Sequence, residues 1–186
     1  MNDELIRTLE ILKNGGTILY PTDTIWGLGC DATQDMAVQK IFKIKARDDT
    51  RQMLILIDEA ANIGKYVKKV PDIAFAFIES AKRPLSIVFQ DATNLAPSLI
   101  GQDNTIGIRV VQDDFCRELI RKLGSPVVST SANISGNPPP SGFSSISREI
   151  KDSVDYIVKW RQDDETASTA SDIIKFGEKG EIIKIR

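Results

Sequence analysis

The sequence predicts an α/β fold in which a twisted mixed sheet is flanked by helices. Segments of strand length alternate with helix-patterned segments along most of the chain. The helix-patterned segments open at Asp and close at Gly, and the chain ends in a hairpin-like pair that makes the sheet mixed. With 186 residues the chain has the length of one compact domain, and residues 1–186 are read as a single unit.

Leu5, Ile6, Leu9 and Leu12 recur at helical spacing behind Asn2 and Asp3, and Gly15 with Gly16 ends that helix. Residues 17–24 read as a strand, and Trp26 with Gly27 and Gly29 forms a turn able to wall a small pocket. Asp35 can start a helix through Met36, Val38, Ile41 and Phe42, and residues 52–57 are an apolar run of strand length. Residues 45–51 are expected to connect the two in extended form. Pro71 suits a first helical turn ahead of an apolar stretch, and Pro84 separates that helix from a strand over 85–90. A strand over 106–111, a helix from Asp113 closed by Gly124, and a strand over 127–130 follow. The last strands are expected at 156–159, 171–176 and 181–186, the final two joined by the Gly177–Gly180 turn. Residues 135–147, with three consecutive prolines, form the longest loop, which suits an active-site loop or a linker.

Composition narrows the chemistry. The formal charge of -2 means that the protein as a whole does not attract a polyanion, so such a ligand needs a local cationic pocket. The apolar share of 41% is that of a globular chain, and no run approaches the roughly 18 apolar residues of a membrane span. The acidic, helix-patterned first residues are unlike a signal peptide, so a cytoplasmic location and no membrane partner are expected. Cys30 and Cys116, read as reduced, offer neither a disulfide framework nor a structural zinc site. The absence of histidine removes Ser-His, Cys-His and His-metal chemistry and leaves carboxylates, hydroxyls, amides and cations. No metal-ligating set is expected.

Strand periodicity groups the candidate residues. In residues 105–110, Ile106, Ile108 and Val110 can enter the core together, while Thr105 and Arg109 share the opposite face across Gly107. Arg109 is there either a ligand contact or a solvated side chain. Ser129, Ser131 and Asn133 fall on one side at the end of a strand, as a polar rim or as turn formers. On an extended connector Lys45 and Arg47 point the same way, and with Arg51 they could clamp phosphates or simply be solvated. Thr22 and Thr24 share a face at the end of the first strand. Residues 27–32 satisfy a GxGxxG/A fingerprint, but the next helix starts only near Asp35, too late to meet a pyrophosphate. No GxxxxGK[ST] segment exists, so side-chain cations must hold any nucleotide. Lys65, Lys68 and Lys69, and Arg117, Arg121 and Lys122, are short basic groups that suit solvated faces better than nucleic acid.

YPTDTIWGLGCDA at 20–32, KARDDTRQMLIL at 45–56, RPLSIVF at 83–89, TIGIRV at 105–110 and STSANISG at 129–136 follow one another in an order that resembles the YrdC/TsaC-type threonylcarbamoyl-AMP synthase family. STASD at 168–172 and the closing IIKIR are weaker matches. Trp26 stands where Tyr is common, and Asp48 and Gln52 stand where the family usually has prolines. The ending at IIKIR implies a short form without the additional C-terminal domain of longer relatives.

The resemblance implies a YrdC-like domain with a concave cationic cavity. There ATP, L-threonine and bicarbonate would give threonylcarbamoyl-AMP and pyrophosphate, for N6-threonylcarbamoyladenosine in tRNA. By motif, Lys45 and Arg47 would be catalytic. Lys45, Arg47, Arg51, Thr105, Ser129, Asn133 and Arg186 would contact ATP, and Thr24, Arg109, Ser131 and Ser168 would hold threonine. ATP enters as substrate, with Mg²⁺ held mainly by the nucleotide. Double-stranded RNA or tRNA and downstream threonylcarbamoyl transferase proteins are the further partners implied. A noncatalytic RNA-binding module and carbamoyl transfer to a different acceptor are the alternatives.

Overall fold

The computed structural model describes residues 1–46, 53–164, 169–177 and 181–186. In chain order the elements are α1 (Asn2–Lys13), β1 (Ile18–Tyr20), β2 (Gly27–Gly29), α2 (Asp35–Ile44), β3 (Leu54–Ile57), α3 (Asp72–Ser80), β4 (Leu85–Phe89), β5 (Ile106–Val110), α4 (Asp114–Leu123), β6 (Val127–Ser131), α5 (Arg148–Ser153), β7 (Tyr156–Ile157), β8 (Asp172–Phe176) and β9 (Ile182–Lys184). Short 3-10 turns at Ala60–Lys65, Pro97–Leu99 and Phe143–Ser145 lie between them. The strands join one mixed sheet in the order β7-β1-β2-β6-β3-β5-β4-β8-β9. β1 with β7, β3 with β5 and β4 with β8 are parallel, and the other pairs are antiparallel.

Alternation of side chains divides the core into two layers. Leu19, Leu28, Ile55, Ile57, Ile87, Ile106, Ile108 and Val128 face the layer that packs against α2, with Val38, Ile41 and Phe42 of that helix. Ile18, Tyr20, Leu56 and Val127 face the opposite layer, covered by Leu5 and Leu12 of α1 and by Phe115, Leu119 and Ile120 of α4. That second cover stops short, and what it leaves open becomes the floor of the cavity described below.

Helix ends follow local chemistry. Asp113 accepts from the Cys116 amide at 2.9 Å to cap α4, and Gly124 ends it in the left-handed conformation at φ 78°. The Ser147 hydroxyl caps α5 by accepting from Ile150 N. That helix was missed in the sequence because six residues with one buried side chain carry no readable period. Asp35 lies one position inside α2, and its carboxylate accepts from Ser98 N at 2.8 Å.

Gly27-Leu28-Gly29, expected as a turn, is a strand paired with both β1 and β6. Its glycines serve packing. A Cβ on Gly29 would lie 2.6 Å from Cε1 of Tyr20 and 2.8 Å from the Val128 carbonyl, so the buried Tyr20 ring occupies the space a side chain would need. Tyr20 then donates its hydroxyl to that carbonyl at 3.0 Å. Cys30 and Cys116 are buried free thiols, and burial pushes both up from the usual thiol range. Among the described residues no helix is long and apolar enough to cross a membrane.

Candidate active site

Beyond the reach of α1 and α4, one sheet face presents Ser129 and Ser131 of β6, Gly107 and Arg109 of β5, and Ser86 and Val88 of β4 to a cavity of about 590 Å³. Register explains the grouping. Ser86 lies opposite Arg109 and Val88 opposite Gly107, while Leu54 of β3 pairs with both Gly107 and Ser129. A Cβ on Gly107 would meet Cβ of Leu54 at 3.2 Å, so glycine keeps this part of the floor low. Thr24, Trp26, Lys45, Asn133 and Arg186 complete the polar and aromatic wall, and no carboxylate is among the described lining residues.

Thr24 arrives on the bend between β1 and β2. Thr22 Oγ1 donates to the Ile25 carbonyl at 2.9 Å and lies 3.0 Å from Thr24 Oγ1. A hydroxyl has one proton, so Thr24 donates to Thr22 and keeps lone pairs for the cavity. Trp26 is held by Phe143, with ring centroids 4.8 Å apart, and Lys151 Nζ sits 4.3 Å above the Phe143 ring.

Lys45 corrects an expectation. It does not lie on an extended connector: it is the C-cap of α2 with helical backbone angles, followed by Ala46 at φ 46°. The residue is only 3% exposed, and Nζ donates to the Ser131 carbonyl at 2.6 Å and the Asn133 carbonyl at 2.7 Å. Asn133 in turn gives Nδ2 protons to the Ile134 and Asn137 carbonyls, which leaves its buried Oδ1 without a partner among the described residues. The ammonium therefore ties the end of α2 to the polar rim.

Arg109 is almost fully buried, with Nη2 3.2 Å from Oδ1 of the equally enclosed Asp23. Across the cavity, Arg186 donates to the Ser171 carbonyl at 3.1 Å and to its hydroxyl at 3.4 Å, and that hydroxyl lies 2.9 Å from Ser86 Oγ. Burial first, and then the charge of Arg109, lower the pKa of Arg186 against the opposing pull of Asp172. The wall thus holds mutually repelling cations, an arrangement that an anionic ligand relieves.

Of the candidate residues, Thr24, Lys45, Arg109, Ser129, Ser131, Asn133 and Arg186 meet in this cavity. Thr105 is absent from the lining: it is buried and donates to Asp103 Oδ1 at 2.6 Å. Arg47, Arg51 and Ser168 lie outside the described residues. Sequence reasoning missed Asp23, Ser86 and Ser171. For Asp23 the cause is geometric, since strand alternation puts it opposite Thr22 and Thr24, whereas the observed segment bends after Tyr20 and turns all three inward.

The family model described as telomere recombination, Sua5_yciO_yrdC, matches residues 10–186. Over 146 residues the chain is 31% identical to a threonylcarbamoyl-AMP synthase of Idiomarina loihiensis, covering 77% of this chain and 78% of the relative. Among solved structures, P. abyssi Sua5 complexed with L-threonine superimposes with a TM-score of 0.85 at 23% identity, covering 98% of this chain and 53% of that one. The crystal structure of E. coli YciO gives a TM-score of 0.83 at 21% identity, covering 100% of this chain and 89% of that one. At those identities the structural likeness establishes the fold.

Proposed function

The chain belongs to the Sua5/YciO/YrdC family, and on that premise we propose that it is a threonylcarbamoyl-AMP synthase. It joins L-threonine, bicarbonate and ATP into threonylcarbamoyl-AMP with release of pyrophosphate, for N6-threonylcarbamoyladenosine formation in tRNA. The observation that carries this reading is one cavity lined by three cations, several hydroxyls and two amides drawn from both halves of the chain. Relatives that bear the synthase name support it.

In this proposal Arg109 grips the threonine carboxylate in a two-bond fork, and Thr24 accepts from the ammonium. Ser131, and Ser168 by motif, hold the rest of the amino acid. Lys45, Arg186, Ser129 and Asn133 face the nucleotide, joined by Arg47 and Arg51. Thr105 supports the strand that carries Arg109, without a place in the cavity. The amine loses a proton and forms a carbon–nitrogen bond to bicarbonate with loss of water. The resulting carbamate oxygen then attacks the α-phosphorus, and pyrophosphate leaves. Neither step needs a histidine: positioning of amine and bicarbonate serves the first, and neutralisation of phosphate charge lowers the barrier of the second.

Mg²⁺ belongs to the proposal as an ion carried by the triphosphate, whose charge it offsets. A wall of hydroxyls, amides and cations fits that division, since the ion then takes its oxygens from nucleotide and water. Transferase proteins that pass the adduct to tRNA are the proposed downstream partners, and residues 1–186 are treated as one functional unit. A noncatalytic RNA module would use Lys45 and Arg186 and leave the enclosed Arg109 and Thr24 without a task, and transfer to another acceptor has no such residue in its favour. The test is pyrophosphate release from ATP with threonine and bicarbonate omitted in turn. Release that requires both is expected, and release indifferent to threonine would contradict the proposal.

A further inference from the structure

Asp23 has no role in the reading above, yet it is the charged group nearest to Arg109. Its side chain is 7% exposed and that of Arg109 3%, so the two charges face each other largely out of water. The pair is close but not aligned. Oδ1 of Asp23 and Nε and Nη2 of Arg109 all lack a hydrogen-bond partner among the described residues, although Oδ1 and Nη2 are 3.2 Å apart. Nε and Nη2 form one edge of the planar guanidinium, the edge a carboxylate takes with two parallel bonds. Both atoms are closed to solvent, so Asp23 balances the charge of Arg109 from the protein side of the guanidinium.

The surroundings hold Asp23 in that posture. Its Oδ2 accepts from Gln112 N, just beyond the end of β5, at 3.1 Å, so the aspartate is fastened beside the strand that carries Arg109. On the other side, Arg161 donates to the Thr22 carbonyl at 2.9 Å and pairs with Asp113 Oδ2 at 3.1 Å. Arg161 has a left-handed backbone at φ 56°, a strained conformation maintained by these contacts. A second, half-buried charge pair thus anchors the segment from Thr22 to Thr24 against the start of α4. Two carboxylates then share one guanidinium, and on charge alone Asp23 would repel the substrate. Burial decides the sign. Without Asp23 the enclosed Arg109 is an uncompensated charge, and it regains partners only by leaving its position.

We infer that Asp23 is a positioning residue acting through Arg109: it backs the guanidinium from inside the protein and holds it at the cavity wall, where the amino-acid carboxylate binds. The inference rests on the reading that Arg109 receives threonine. It goes further in assigning a part in threonine binding to a residue that does not line the cavity.

The test is steady-state pyrophosphate release by wild type, Asp23→Asn, Arg109→Met and the double variant. Asp23→Asn should raise the threonine KM about tenfold or more while the ATP KM and kcat at saturating threonine change by less than about twofold. A purely structural defect would not separate the two substrates in this way. Threonine kcat/KM of the double variant should match that of Arg109→Met, because Asp23 has nothing left to position. The double variant removes both buried charges together, so it tests the idea even where Asp23→Asn alone fails to fold. An unchanged or lowered threonine KM in Asp23→Asn, an equal rise in ATP KM, or a further loss in the double variant would overturn the inference. A wild type without threonine-dependent release would bring down the functional reading together with it. An active wild type with any of those three results sinks only the role of Asp23.

Discussion

Lys45 Nζ donates to two carbonyls of the polar rim, so removing it has separable consequences. Lys45→Ala removes the donor shared by the Ser131 and Asn133 carbonyls, of which the first keeps the Asn133 amide at 2.9 Å, at a cost of about 1 to 3 kcal/mol. Thermal melting should therefore show a Tm several degrees below wild type, at about 2 to 4 °C per kcal/mol for a chain of this size. ATP affinity by calorimetry, measured well below the new Tm, should fall as well, because the rim that carries Ser131 and Asn133 loses its tie to α2. An unchanged Tm would contradict the tie, and unchanged ATP binding would remove Lys45 from the nucleotide side. The residue identities of the rim were legible in the sequence because strand alternation places Ser129 and Ser131 on one face. The use of Lys45 was not. Its carbonyl partners are 86 and 88 positions away, and the local pattern around 45 holds no trace of them.

Among the strands, β2 is the one that the sequence concealed. Three residues, two of them glycine, carry neither β-branched side chains nor an apolar alternation, so strand propensity is low. Its strand character comes from neighbours on both sides and from the Tyr20 ring, which needs the space above Gly29. Gly29→Ala must push against the Val128 carbonyl as well as the ring, and overpacking of this kind costs about 1 to 3 kcal/mol. Differential scanning calorimetry should show a clear drop in Tm for Gly29→Ala. Gly64→Ala, where a Cβ meets nothing within 4 Å, should stay within about 0.5 kcal/mol of wild type. Equal behaviour of the two variants would contradict the packing role. The helices were easier to read: Asp113 with Gly124 marks both ends of α4, and the buried side chains of α2 follow its apolar spacing except for Met36, which is 81% exposed.

At the scale of the molecule, the strand order brings the site together. β6 lies between β2 and β3, and β5 between β3 and β4, so residues 24, 45, 109, 131 and 186 surround one space although they span most of the chain. Periodicity reveals which face a residue takes within a strand, but it carries nothing about which strands are neighbours. The alternating pattern therefore gave the mixed α/β class, while the grouping of the site came from motif resemblance and from the topology. α1 and α4 covering only part of one sheet face is likewise a long-range outcome: it leaves Ser86, Gly107 and Ser129 uncovered where similar alternation elsewhere fills the core.

In the proposed reaction this cavity joins threonine, a one-carbon unit and the adenylyl group of ATP. This joining is tested most directly by mass spectrometry of the reaction run with carbon-13 bicarbonate. The expected product is an adduct containing one threonine, one AMP and one labelled carbon, formed in step with pyrophosphate. ATP cleavage to ADP and phosphate, or AMP and pyrophosphate without a labelled threonine adduct, would contradict it.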